Sequence, residues 1–83
     1  MSLSVEDYKI KKETIIKWLN ILFKLTEADN LEDAINLSKM LASGETLEFA
    51  NTISVLYRAE CSGEIDPPIK LGEIYKQISR GEI

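Results

Sequence analysis

The sequence predicts an all-α fold, a compact bundle of four helices in a single domain that spans residues 1–83. Apolar side chains recur at three- and four-residue spacings along most of the chain, which is the periodicity of helices with one buried face. Gly44, Gly63 and Gly81 each follow such a stretch, and glycine readily adopts the left-handed backbone conformation that ends many helices. A chain of 83 residues has room for one modest core.

The first helix is expected over about residues 5–25. Its second half is apolar around most of its circumference, because Trp18, Ile21 and Leu25 form a second stripe beside the first. A helix with two apolar sides must be covered on both. One interpretation is a central position among the other helices. The other is that these three residues form a self-association surface, as in a homodimer, or a groove for a partner.

The second helix is expected over about residues 31–43. Asp29 or Asn30 is suited to cap its start, because both side chains accept hydrogen bonds from free backbone N–H groups. Gly44 is expected to end this helix.

The third helix is expected over about residues 46–62, with Gly63 as its end. Cys61 continues the apolar spacing of this helix, so it is interpreted as a small buried side chain rather than a nucleophile or a redox thiol. As the single cysteine, it leaves no internal disulfide to be formed.

The fourth helix is expected over about residues 67–80. Pro67 and Pro68 fit a first helical turn, where their missing N–H groups would be unpaired in any case. Gly72 argues against this start, since glycine inside a helix costs about 1 kcal/mol relative to alanine. A continuous helix is favoured; the alternative is that residues 69–71 are extended and the helix starts at Gly72.

The core is predicted from the apolar positions that share one face of each helix. Its expected members are Ile15, Leu19, Leu22, Ile35, Leu41, Ala50, Ile53, Tyr57 and Ile74.

Negative charge is concentrated in the middle of the chain. The formal net charge is −4, and residues 27–66 hold nine acidic residues against Lys39 and Arg58. These acids either decorate ordinary solvated faces or form a surface for a basic protein partner. The residues expected to be exposed and to form such a surface are Glu32, Asp33, Glu45, Glu48, Glu60 and Glu64.

The available chemistry disfavours an enzyme. The chain has no histidine, which removes the commonest general base and the commonest metal ligand. It also has no glycine-rich phosphate loop and no nucleophile elbow. We therefore expect no catalytic residues, no metal site and no cofactor.

DNA binding is the main alternative. Tyr57-Arg58, Gly63-Glu64-Ile65 and Pro68-Ile69-Lys70-Leu71-Gly72 are similar to the end of excisionase-type and related winged helix-turn-helix domains. The resemblance implies a small DNA-binding regulator that uses the third helix and the segment at Pro67. The turn expected before Tyr57 is too short for that family, and its cluster of arginines is reduced to Arg58 and Lys70. Glu45 also precedes the third helix, where it would repel phosphate.

The sequence favours a non-catalytic, acidic, regulatory or inhibitory module that binds a protein partner. A helix-turn-helix regulator and an accessory subunit of an enzyme are the alternatives, and nucleic acid is not the expected partner. The N-terminus lacks a basic start followed by an apolar run, and no stretch is long enough to span a bilayer. We therefore expect a cytoplasmic location without membrane contact.

Overall fold

The computed structural model describes residues 11–66 and 68–83, and it confirms an all-α bundle of four helices. Each helix packs against the other three. The helices are α1 (Lys12–Thr26), α2 (Leu31–Leu41), α3 (Gly44–Cys61) and α4 (Leu71–Ser79). The predicted start of the first helix, near residue 5, lies outside the described residues. A continuous helix over residues 5–25 is wrong, because Lys11 has an extended backbone and α1 begins only at Lys12.

The core lies where the four helices meet. Seven predicted core residues are buried: Ile15, Leu19, Leu22, Ile35, Ala50, Ile53 and Ile74. Tyr57 is half-buried and packs against them. The prediction for Leu41 is wrong, because its side chain is 61% exposed. Leu41 is the last residue of α2, one turn beyond the stripe that α2 presents to the core at Ala34 and Ser38.

Two of the three predicted glycine stops end a helix as expected. At the end of α3, Gly63 has φ +75°, its N–H donates to the Glu60 carbonyl at 3.1 Å, and the Glu64 N–H donates to the Ala59 carbonyl at 2.9 Å. The same pair of bonds follows α4 around Gly81, whose φ is +73°. Both ends are therefore Schellman motifs, which satisfy carbonyl groups that have no partner within the helix.

The third stop was placed wrongly. α2 ends at Leu41, where Ala42 turns to an extended conformation. Gly44 has φ +60° but is the first residue of α3, so it serves the tight connection between the two helices rather than the end of α2. The start of α2 matches the prediction, since the Asn30 side chain accepts a hydrogen bond from the Asp33 N–H at 2.9 Å.

The predicted start of the fourth helix is also wrong. Residues 68–70 are not helical, and α4 begins at Leu71. Ile69 is nevertheless buried in the core, so the non-helical segment before α4 packs against the bundle. The alternative of a helix that begins near Gly72 is closer to the structure.

Cys61 is exposed, contrary to the prediction of a buried side chain. It is the last residue of α3. The apolar spacing of this helix extends to Cys61, but the buried part of the helix ends at Ala59.

The side chains of α1 explain part of its second apolar stripe. The Trp18 ring stacks on the Phe49 ring of α3, with ring centroids 4.9 Å apart and an angle of 17° between the planes. Trp18 also packs against the core, while Ile21 is half-buried. This half of α1 is thus covered largely by the chain's own helices, as expected for a helix in a central position.

Candidate interaction surface

Three large apolar side chains that are exposed lie together on α2. Leu37, Met40 and Leu41 are 39%, 81% and 61% exposed. Leu37 lies three residues before Met40 and four before Leu41, so the three side chains neighbour one another at the end of α2, beside the stripe that faces the core. We call these three residues the α2 ridge. Contiguous exposed apolar surface of this kind marks interaction sites more often than scattered single residues do.

An acidic depression adjoins the α2 ridge. It lies where the end of α1, the following loop and α2 meet, and it has a volume of about 470 Å³. We define it by its lining residues Thr26, Glu27, Ala28, Asp29, Asp33, Asn36 and Leu37. Leu37 belongs to both features, so the depression and the ridge form one continuous surface.

Charge in the acidic depression has one sign. Glu27, Asp29 and Asp33 are exposed, and no lysine or arginine among the described residues lines the depression. Nor do any three acidic or cysteine residues in the described part of the chain come together in a way that could hold a metal ion. The three carboxylates are therefore spread around the depression rather than convergent on one point.

Hydrogen bonds to the core fix the shape of the depression. The Tyr75 hydroxyl donates to the Ala28 carbonyl at 2.7 Å. The Thr26 hydroxyl donates to the Leu22 carbonyl at 2.8 Å and accepts the Ala28 N–H at 3.3 Å. The Tyr75 ring also meets the Phe23 ring edge-on, with centroids 6.0 Å apart. The loop that carries Asp29 is thus tied to α1 and α4.

The environment of Tyr75 keeps its hydroxyl protonated. Burial raises the pKa of Tyr75, the nearby Thr26 hydroxyl acts in the opposite direction, and the negative charge of Asp29 raises the pKa further. The neutral phenol remains a donor to the Ala28 carbonyl throughout the physiological pH range.

The six acidic residues predicted to bind a partner lie on several surfaces. Asp33 lines the acidic depression, whereas Glu32 and Glu60 border a depression beside Tyr57 and α4. Glu45 and Glu48 are exposed at the start of α3, and Glu64 is exposed after its end. The structure brings Glu32 and Glu60 near each other but does not gather all six.

Glu60 has a partner within the chain. Its two carboxylate oxygens accept the backbone N–H groups of Lys70 and Leu71 at 2.6 and 2.7 Å. It is half-buried between the end of α3 and the start of α4. Glu60 therefore links α3 to the start of α4, and its contribution to partner binding stays a prediction.

Of the three residues predicted for self-association, Leu25 is the most exposed, at 37%. The Trp18 ring is already stacked on the Phe49 ring, and Ile21 is half-buried. Self-association through α1 remains a prediction, and it would depend mainly on Leu25.

Sequence reasoning missed the α2 ridge. It placed Leu41 in the core and gave no function to Leu37 and Met40. The signal that could have found the ridge is the spacing of these three residues, which forms a second apolar line beside the core line of α2.

Comparisons with known proteins give no relative from which a function could be transferred. A scan against protein-family models, a search of curated proteins and a search of solved structures each find no match to this chain. None of the helices formed by residues 11–66 and 68–83 combines the length and apolar character needed to cross a bilayer.

Proposed function

We propose that this chain is a non-catalytic interaction module that binds a protein partner through the α2 ridge and the acidic depression. The partner presents a basic amphipathic segment whose apolar side chains cover the ridge and whose lysine or arginine side chains enter the depression. The observation that carries this proposal is the continuity of the two features through Leu37.

The ridge supplies most of the binding free energy in this proposal. Full burial of a large apolar side chain is worth about 1.5–3 kcal/mol, and Met40 and Leu41 have most of their surface still to bury. Interface hot spots are a few such side chains at the centre of a contact. Binding would occlude or hold in place a segment of the partner, which is how a protein without chemistry of its own regulates or inhibits another.

In this proposal the acidic depression orients the partner and speeds its association. Carboxylates at the edge of an interface mainly raise the association rate and exclude partners of the wrong charge. Their long-range attraction is screened by salt, with a Debye length of about 8 Å at physiological ionic strength. We expect replacement of Asp29 by lysine to slow association several-fold at low salt. The same change at Glu48, which is exposed on α3 outside the depression, should have a smaller effect.

Site-specific photo-crosslinking in lysate of the native host tests where the partner binds. A photoreactive residue at position 40 should capture a defined protein, whereas the same residue at position 55 should not, although Val55 is also 57% exposed. Equal capture from the two positions would contradict the assignment of the surface. The crosslinked segment of the partner, read by mass spectrometry, should be basic and amphipathic; an acidic segment would contradict the proposed chemistry.

A duplex-DNA titration separates this proposal from the helix-turn-helix alternative. The proposed module should not bind DNA. Submicromolar binding that weakens steeply with salt, and is lost on Arg58→Ala or Lys70→Ala, would overturn the proposal in favour of a DNA-binding regulator.

A further inference from the structure

A second concave surface lies between α2 and α3, on a different side of α2 from the ridge. This α2/α3 groove has a volume of about 300 Å³, at the lower end of the range for small-molecule sites, which runs from about 300 to about 1,000 Å³. Ile35 on α2 and Ser54 on α3 line it and are 5% and 6% exposed, so they form its buried base. The groove therefore offers one apolar and one hydroxyl group beneath a rim of longer polar side chains.

Lys39 is held at one end of the groove. Its ammonium group donates to the Ser54 hydroxyl oxygen at 3.2 Å. This contact restricts the otherwise flexible Lys39 side chain, so less conformational entropy would be lost when a ligand orders it. A hydroxyl that accepts one hydrogen bond still has its proton to donate, and Ser54 can therefore orient an acceptor placed beside Lys39.

Arg58 supplies a second positive charge. It lines the same groove and is exposed, and it forms no salt bridge with any residue of the ranges 11–66 and 68–83. Its guanidinium can hold a carboxylate with two parallel hydrogen bonds. Tyr57 lines the groove as well. Burial raises the pKa of Tyr57, with further contributions from Cys61 and Glu32, so this phenol is a neutral hydrogen-bond donor at pH 7.

Negative charge in the groove stands apart from Lys39. Glu32 precedes Lys39 by two turns of α2, which corresponds to about 10 Å along the helix axis. Glu32 lines the groove in the first turn of α2, whereas Lys39 lines it in the last turn of the same helix. The charged lining groups Glu32, Lys39 and Arg58 therefore leave one uncompensated positive charge, which suits a ligand with a single negative charge.

We propose that the α2/α3 groove binds a monocarboxylate, with Lys39 and Arg58 on the carboxylate, Ser54 as an orienting donor and Ile35 beneath the apolar part of the ligand. The carboxylate can come from a small organic acid or from the C-terminus of a peptide. The site is separate from the α2 ridge, so Met40→Ser should leave it unchanged.

Amide NMR titration of the ¹⁵N-labelled protein tests this site. Sodium butyrate should cause saturable shifts in residues 32–39 and 54–61, beyond those from sodium chloride at the same ionic strength. Butyramide, which has the same shape without the charge, should not. Arg58→Gln and Lys39→Gln should each weaken butyrate binding by about tenfold or more, the effect of a lost charge-assisted hydrogen bond. Arg80→Gln is the matched control, because Arg80 is exposed and lies outside the groove.

A second pair of probes identifies the source of the carboxylate. An N-acetylated tripeptide ending in leucine is compared with its C-terminal amide. Saturable binding of the acid alone, lost in Arg58→Gln, supports the site and assigns the carboxylate to a chain end even when butyrate fails to saturate. Absence of saturable binding by both acids would overturn the proposal, as would equal binding by acid and amide or shifts unaffected by Arg58→Gln and Lys39→Gln.

Discussion

Glu60 on α3 caps α4 through the backbone of Leu71. One carboxylate oxygen accepts the Leu71 N–H at 2.7 Å, and the other accepts the Lys70 N–H at 2.6 Å. Lys70 occupies the N-cap position of α4 in a left-handed conformation, with φ +63°, and its own side chain makes no capping bond. A carboxylate from another helix thus replaces the local cap and links the start of α4 to the end of α3.

Replacement of Glu60 by alanine should lower the free energy of unfolding by about 1–2 kcal/mol, because two N–H groups at the start of α4 lose their partner. Urea denaturation followed by circular dichroism measures this change. Glu64→Ala is the matched control, since Glu64 is exposed, and it should have little effect. Equal urea midpoints for the wild type and Glu60→Ala would show that the capping bonds do not contribute to stability.

Tyr75→Phe should cost about 1 kcal/mol at pH 7, because it removes the hydrogen bond to the Ala28 carbonyl. The pKa of Tyr75 is raised in the folded protein, so the contribution of the phenol is complete below its ordinary pKa of about 10. That contribution is lost as the pH rises through the raised pKa that Tyr75 has in the folded protein. Urea midpoints of wild type and variant should therefore converge above about pH 10, and a constant difference would contradict this account.

Two glycine substitutions should have opposite effects. Gly72 lies in α4, and a Cβ added there would meet no atom within 4 Å, so Gly72→Ala should stabilise the protein by about 0.5–1 kcal/mol. Gly63→Ala should destabilise it by about 1 kcal/mol, because alanine is strained at φ +75°. Thermal unfolding monitored by circular dichroism should raise the midpoint for the first variant and lower it for the second. Two shifts of the same sign would contradict the assigned conformations.

Self-association through α1 should depend on Leu25. We expect the wild type to sediment as a dimer at high concentration and Leu25→Asp to be a folded monomer, since 37% of this side chain is already exposed. Val55→Asp is the control and should remain dimeric, because Val55 is 57% exposed on α3 rather than on α1. A wild type that sediments as a monomer at every concentration would end this hypothesis.

The helices could be predicted from the sequence because local patterns determine them. Periodic apolar residues, the Asn30 cap and the glycine conformation at Gly63 and Gly81 each act within a few residues. The start of α4 could not be predicted, because the carboxylate that caps Leu71 comes from Glu60, eleven residues away and on another helix. Local signals favoured the proline pair instead.

The candidate surface was harder to predict than the fold. Apolar spacing alone cannot distinguish the stripe of α2 that faces the core from the ridge beside it, and Leu41 was assigned to the wrong one. The acidic composition of the middle segment was evident, but the grouping of Glu27 and Asp29 with Asp33 depends on how α1 and α2 meet. That grouping is a property of tertiary packing, which a single sequence does not reveal.

The most direct test of the central claim is the affinity of the crosslinked partner for variants of the α2 ridge, measured by isothermal titration calorimetry. The double variant Met40→Ser, Leu41→Ser should bind at least about tenfold more weakly, because two large apolar contacts are lost while stability is preserved at exposed positions. Val55→Ser should bind like the wild type. Undiminished affinity in the double variant, with its fold intact by circular dichroism, would contradict the claim that the α2 ridge is the binding surface.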